Sequence, residues 1–99
     1  MQSILMTGAS SGIGLQSACN LGNLGYNLIL TCRSEQRASQ TFTALEQAGV
    51  SAKNINLFVV DQSDLRSVDF FCNNIIQSKR IINHVILVGI LLLYYYQAH

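Results

Sequence analysis

The feature that most limits how this chain can fold is a glycine-rich segment, Thr7-Gly8-Ala9-Ser10-Ser11-Gly12-Ile13-Gly14, set between a short apolar run and a helical pattern. A segment in that position must turn a strand sharply into a helix. The helix start then presents free N–H groups and the positive end of its dipole to whatever lies in front of it, which favours an anion. Each glycine has its own task in such a turn. Gly8 permits the tight bend, Gly12 removes a side chain where backbone approaches a pyrophosphate, and Gly14 lets the helix lie close against the first strand. An ordinary glycine turn could carry the same residues. Placement after a strand, at the head of a helix and inside a βαβ unit separates the phosphate loop from that alternative.

The rest of the chain supplies that context. Ser3 to Met6 is a short apolar run that predicts a first strand. From Ile13 the pattern is helical, with Gly14, Ala18 and Leu21 on one face, and it stops near Gly22 to Gly25. Tyr26 to Cys32 predicts the second strand, and Ser34 is placed to cap a second helix with an inward stripe of Ala38, Phe42 and Leu45 that ends at Gly49. Asn56 to Val60 predicts a third strand that runs into Asp61. A third helix then begins near Ser63 or Asp64, with Leu65, Val68, Cys72 and Ile75 or Ile76 facing inward. An apolar run at about Val85 to Val88 predicts a fourth strand. Strands alternating with helices of this length imply an α/β fold, a partial Rossmann-like, doubly wound parallel sheet of about four strands in the order 3-2-1-4 with three helices. The predicted division is a dinucleotide-binding domain over residues 1–89 and an apolar tail over residues 90–99.

Charge and cysteine content narrow the functional classes. Six Lys and Arg against five Asp and Glu give a net charge of +1, and the basic residues are scattered, which argues against a nucleic-acid partner. The composition is 49% hydrophobic and 11% charged, that of a packed chain and not a disordered one. Cys19, Cys32 and Cys72 are widely spaced among apolar or small residues, without the clustering of a metal site. They suit buried thiols in a reducing compartment, and the expected location is cytoplasmic.

The filled pattern TGASSGIG resembles the TGxxxGxG cofactor loop of the short-chain dehydrogenases/reductases. The resemblance runs from about Ile4 to Ser78 and looks closest to reductases of retinoid, steroid or other carbonyl lipids. It implies cofactor contacts at Gly8, Ser10, Ser11, Gly12, Ile13 and Gly14. At the end of the second strand a carboxylate would accept from a ribose 2′-hydroxyl and repel a 2′-phosphate. Here stand Cys32 and Arg33, with Arg37 one helical turn further on, so NADP(H) is expected in preference to NAD. The alternative is that both arginines form a solvated group with Glu35. Val59-Val60-Asp61-Gln62-Ser63-Asp64 is similar to the family's hydrophobic-hydrophobic-Asp-x-Ser/Thr-Asp pattern, which implies a contact from Asp61 to the adenine amino group. Without the resemblance, Asp61 and Asp64 could equally serve the start of the third helix.

Other parts depart from the family. Where it carries Asn-Asn-Ala-Gly after the fourth strand, this chain has Ile86-Leu87-Val88-Gly89. The family's catalytic serine and Tyr-x-x-x-Lys lie past residue 99; Tyr95 and His99 imitate only the spacing, with histidine in place of lysine. The expectation is a cofactor-binding portion of a carbonyl or alcohol oxidoreductase that shows no turnover by itself, with no catalytic and no metal-binding residues. A partner chain that supplies the acid is one alternative. Another is a non-catalytic interaction or membrane-associated protein, suggested by the apolar stretch from Val85 to Tyr96 and by a sheet edge open to self-association.

Overall fold

The computed structural model describes residues 2–10 and 12–86; Ser11, Gly89, the tail of residues 90–99 and with it Tyr95 and His99 lie outside the described residues. Strand β1 (Ser3–Met6) leads through the glycine loop into helix α1 (Gly12–Asn23), and strand β2 (Asn27–Cys32) into helix α2 (Glu35–Gln47). Strand β3 (Ile55–Val59), helix α3 (Leu65–Gln77) and strand β4 (His84–Ile86) follow. All pairings are parallel and the strand order is β3-β2-β1-β4, so the doubly wound sheet expected from the alternation of strand and helix is the observed one.

Strand alternation sends the apolar residues to both faces, as a sheet covered on both sides requires. Met6, Leu28, Leu30, Ile55 and Leu57 point to one face and meet Ala18 and Cys19 of α1, Phe42 and Leu45 of α2, and Val50. Leu5 and Phe58 point to the other, where Val60 and the α3 residues Val68, Phe71, Cys72 and Ile75 cover them. The two crossovers that build β1-β2-β3 thus share a face, and α3 has the opposite face to itself among the described helices. Val85 of β4 stays 55% exposed on that second side.

Caps set the helix starts. Ser34 has extended backbone and its hydroxyl accepts from the Arg37 N–H, as the Ser-before-helix pattern anticipates. Asp64, the second of the two expected starts, caps α3 by accepting from the Arg66 N–H at 3.0 Å. Local details differ from the expected ones. Val60 leaves the ladder although its N–H still reaches the Cys32 carbonyl, and a short 3₁₀ turn (Ala52–Asn54) precedes β3. On α3 the inward positions are Val68 and Phe71, with Cys72 and Ile75 beside them, whereas Ile76 is 72% exposed. The 3.6-residue period leaves Ile75 and Ile76 equally eligible until the sheet chooses between them.

At the amino-terminal edge of the sheet the strands are tied by polar side chains: Asn56 donates to Asn27 Oδ1 and to the Leu28 carbonyl, and Asn27 donates to Ser3 Oγ. Both edges open into cavities, one beside Ser3, Asn27 and Asn56 at this edge and one beside Gly8, Cys32 and Gln62 at the carboxyl-terminal edge.

Candidate dinucleotide site

Where β1 ends, the chain must leave the sheet and re-enter as a helix within a few residues. Gly8 and Gly12 both take left-handed backbone, with φ of 67° and 58°. That conformation costs an L-residue with a side chain roughly 1 kcal/mol or more. Gly14 is needed for a different reason. A Cβ there would overlap the carbonyl oxygen of Gly8 and lie 2.9 Å from its carbonyl carbon, so the first turn of α1 rests directly on the backbone of the loop. The close approach is to the loop that follows β1, one step past the strand contact expected from the sequence. Ile13, next to it, is 81% exposed.

Beside the loop lies a cavity of about 220 Å³, lined by Gly8, Ser10, Thr31, Cys32, Arg33, Arg37 and Gln62. The parallel register makes this assembly unavoidable. Met6 pairs with Leu30 and Cys32 with Val59, so the loops leaving β1, β2 and β3 emerge side by side. Ligands of open α/β sheets bind at this carboxyl-terminal edge.

The electrostatics of the cavity are one-sided. Arg33 and Arg37 both line it, and Glu35 and Asp61 do not. Arg66 forms an ion pair with Asp64, at 3.4 Å, well along the chain from both cavity arginines. Cys32, at the position where a carboxylate would discriminate against a 2′-phosphate, is buried; burial pushes its thiol up, against the opposing effects of the Thr41 hydroxyl that accepts its S–H and of the Arg37 charge. The β2 end is therefore neutral where it meets the two cations.

Asp61 sits just outside. Its Oδ1 accepts from both the hydroxyl of Ser63, at 2.6 Å, and the N–H of Ser63, at 3.0 Å. These two bonds, and more weakly the charge of Arg33, hold its carboxyl below the usual carboxylate range. A folded pKa below the unfolded value of about 3.9 means a contribution to stability that is present above that value and lost as the pH falls through the folded one. We expect Asp61→Asn to flatten the acid limb of stability below about pH 4 and to leave neutral stability little changed, since the group is exposed. Denaturation midpoints measured across that range check it; an unchanged acid limb would show that the Ser63 bonds persist in the unfolded chain.

The structure thus brings Gly8, Ser10 and Arg33 to one cavity, sets Gly12, Ile13 and Gly14 at the adjoining helix start, and places Asp61 at its margin. Thr31 and Gln62 are lining residues that the pattern did not single out. Gln62 had one available signal, its place directly after Asp61 at the end of the third apolar run.

Comparison with known proteins agrees with this geometry. The profile of the short chain dehydrogenase family matches residues 2–88. Retinol dehydrogenase 14 of Mus musculus is 34% identical over 87 residues, covering 79% of this chain and 26% of that protein. The chloroplastic protochlorophyllide reductase of Cucumis sativus is 37% identical over 79 residues, covering 79% of this chain and 19% of the enzyme. Among solved structures, a short-chain dehydrogenase/reductase of Caenorhabditis elegans, determined with a cofactor, superposes with a TM-score of 0.69 at 28% identity, over 85% of this chain and 31% of its own. A strand-to-helix glycine loop on a 3-2-1-4 parallel sheet defines a Rossmann-like fold. Within that class, this chain belongs to the short-chain dehydrogenase family, and it spans about a quarter or less of the two curated relatives named.

Proposed function

We propose that this chain is the NADP(H)-binding portion of a short-chain dehydrogenase acting on a carbonyl or alcohol substrate. The observation that carries the reading is the shared cavity: the glycine loop, two arginines and a neutral Cys32 face the same space, and no acid among the described residues lines it. The residues fit the group. Gly8 and Ser10 give a close backbone approach for the diphosphate, and the start of α1 at Gly12 and Ile13 offers N–H groups and a dipole to its charge. Arg33 and Arg37 offer planar cations to a phosphate on the adenosine ribose. Once bound, the nicotinamide supplies hydride transfer. The protein's own contribution here is to bind and orient. Fixing the adenosine half at the edge of β2 and the diphosphate at the head of α1 sets the direction in which the nicotinamide half leaves the loop.

The reading predicts a cofactor preference that one residue controls. Arg33→Gln should weaken NADPH binding by about ten- to a hundredfold and leave NADH binding nearly unchanged, since a charge-assisted bond is worth about 1.5–3 kcal/mol and only NADPH carries the 2′-phosphate. Nicotinamide fluorescence titrations of the purified chain measure both constants. Equal losses for the two dinucleotides would place Arg33 away from the 2′-position, and no binding of either to the wild-type chain would overturn the proposal.

A further inference from the structure

We propose that the end of the sheet opposite the dinucleotide cavity holds a second binding site, for a small phosphorylated polyol of the sugar phosphate class. A cavity of about 590 Å³ opens there, and Ser3, Asn27, Asn56, Lys79, Arg80 and Asn83 contribute to its lining. That volume falls in the usual range of small-molecule sites, roughly 300–1,000 Å³. No acid among the described residues lines it. Three strands and one turn build the walls. Parallel pairing sets Ser3 beside Asn27, and Asn56 Nδ2 donates to Asn27 Oδ1 at 3.0 Å. The turn after α3 supplies the cations and is fixed at both ends. Ser78 Oγ donates to the Ile75 carbonyl at 2.7 Å. The Ser3 N–H donates to Asn83 Oδ1 at 2.8 Å, and the Asn83 N–H to the Ser3 carbonyl at 3.0 Å.

Lys79 is what a purely structural turn does not explain. It directly follows the Ser78 cap with a left-handed φ of 56°, at the position where glycine is the usual residue. A lysine there retains strain that glycine would remove, and it lines the cavity. The Arg80 guanidinium lies 5.5 Å from the centre of the Phe58 ring, a contact that orients its planar fork. Cations also suit the carboxyl end of a helix, but that role requires neither a left-handed lysine nor a polar wall beside it. A point charge next to a planar fork matches a phosphate. The wall matches hydroxyl groups. The bond from Ser3 engages the Asn83 oxygen and leaves the amide nitrogen to donate. Asn56 spends its nitrogen on Asn27 and the Leu28 carbonyl, which leaves Oδ1 to accept.

The test is an NMR titration of the full chain, labelled with ¹⁵N, at constant ionic strength with glucose 6-phosphate, inorganic phosphate and glucose. Glucose 6-phosphate should bind saturably and shift the signals of Ser3, Asn27, Asn56, Lys79, Arg80 and Asn83. Inorganic phosphate should bind there about tenfold more weakly, because it lacks the hydroxyl contacts. Asn83→Asp keeps the acceptor for the Ser3 N–H and puts a carboxylate in place of the donor, so it should weaken the sugar phosphate at least about tenfold. Lys79→Gly should weaken it about tenfold and raise the unfolding midpoint by a few degrees, opposite signs that no loss of folding can produce. Shifts confined to the glycine loop and Arg33 would put the anion in the dinucleotide cavity and overturn the proposal. So would equal affinity for inorganic phosphate and the sugar phosphate, or unchanged binding in Lys79→Gly. The dinucleotide site stands or falls separately, since none of these residues belongs to it.

Discussion

Replacing Gly14 with alanine is expected to lower the unfolding midpoint by about 10–20 °C and to abolish measurable NADPH binding. Helix propensity argues for the opposite sign, since alanine exceeds glycine by about 1 kcal/mol in a helix interior. Sterics decide the case. The added Cβ would overlap the Gly8 carbonyl oxygen, with the carbonyl carbon at 2.9 Å and the Ala9 Cα at 3.2 Å. All three obstacles are backbone, so no rotamer change can relieve them. Either α1 lifts away from the loop or the loop shifts, at a cost of order 1–3 kcal/mol or more from overpacking. For a domain of this size each kcal/mol is worth roughly 4–8 °C. Binding suffers in addition because Gly8 lines the cavity, so any shift that accommodates the methyl group moves a wall of the site. Thermal unfolding with and without NADPH checks both parts. A stabilised variant would show that the loop relaxes freely and that propensity wins.

Leu28→Ala should cost about 2–5 kcal/mol, the range for deleting a buried leucine side chain. Leu28 is fully buried at the centre of the sheet, paired with Ile4 on one side and Ile55 on the other, and packed in the cluster that joins α1 and α2 to the strands. Its Cδ1 lies 3.1 Å from where a Cβ on Gly22 would stand, so α1 sits directly over it and the vacated space has helix above and strands on both sides. Against a total stability of about 5–15 kcal/mol, a loss of that size takes much of what a domain has. The control is Leu24→Ala, at a residue 75% exposed beyond the end of α1, where a change within about 0.5 kcal/mol is expected. Urea midpoints for the two variants check the contrast; similar losses at both would mean that the core has been located wrongly.

Much of this architecture was legible because the chain is locally consistent. The run from Ser3 to Met6, the glycine loop, the capping Ser34 and the apolar strands each favour one kind of element, and the elements alternate in an order that admits few topologies. The site was legible in outline for the same reason: a glycine loop after a strand and a cation at the end of the next strand are separated by one crossover, and parallel pairing brings them together. What escaped the sequence were choices between near-equal options. Asp61 and Asp64 are both acids placed before α3, and only the fold shows Asp64 as the cap and Asp61 held by Ser63. Thr41 was not part of the apolar stripe assigned to α2, yet it is buried and takes the Cys32 S–H.

By itself, then, the order of residues determined the alternation of strands and helices, the parallel sheet and the place where the chain could meet a phosphate, because these follow from local backbone preference and the spacing of apolar side chains. Tertiary structure alone decided that Arg33, Arg37 and Gln62 line one cavity with Gly8, and that Glu35 and Asp61 stand outside it. Direction in space is the reason. Periodicity tells which side of its own helix or strand a residue occupies, but which side chains from three successive loops converge depends on register, and register is set by packing across the whole sheet.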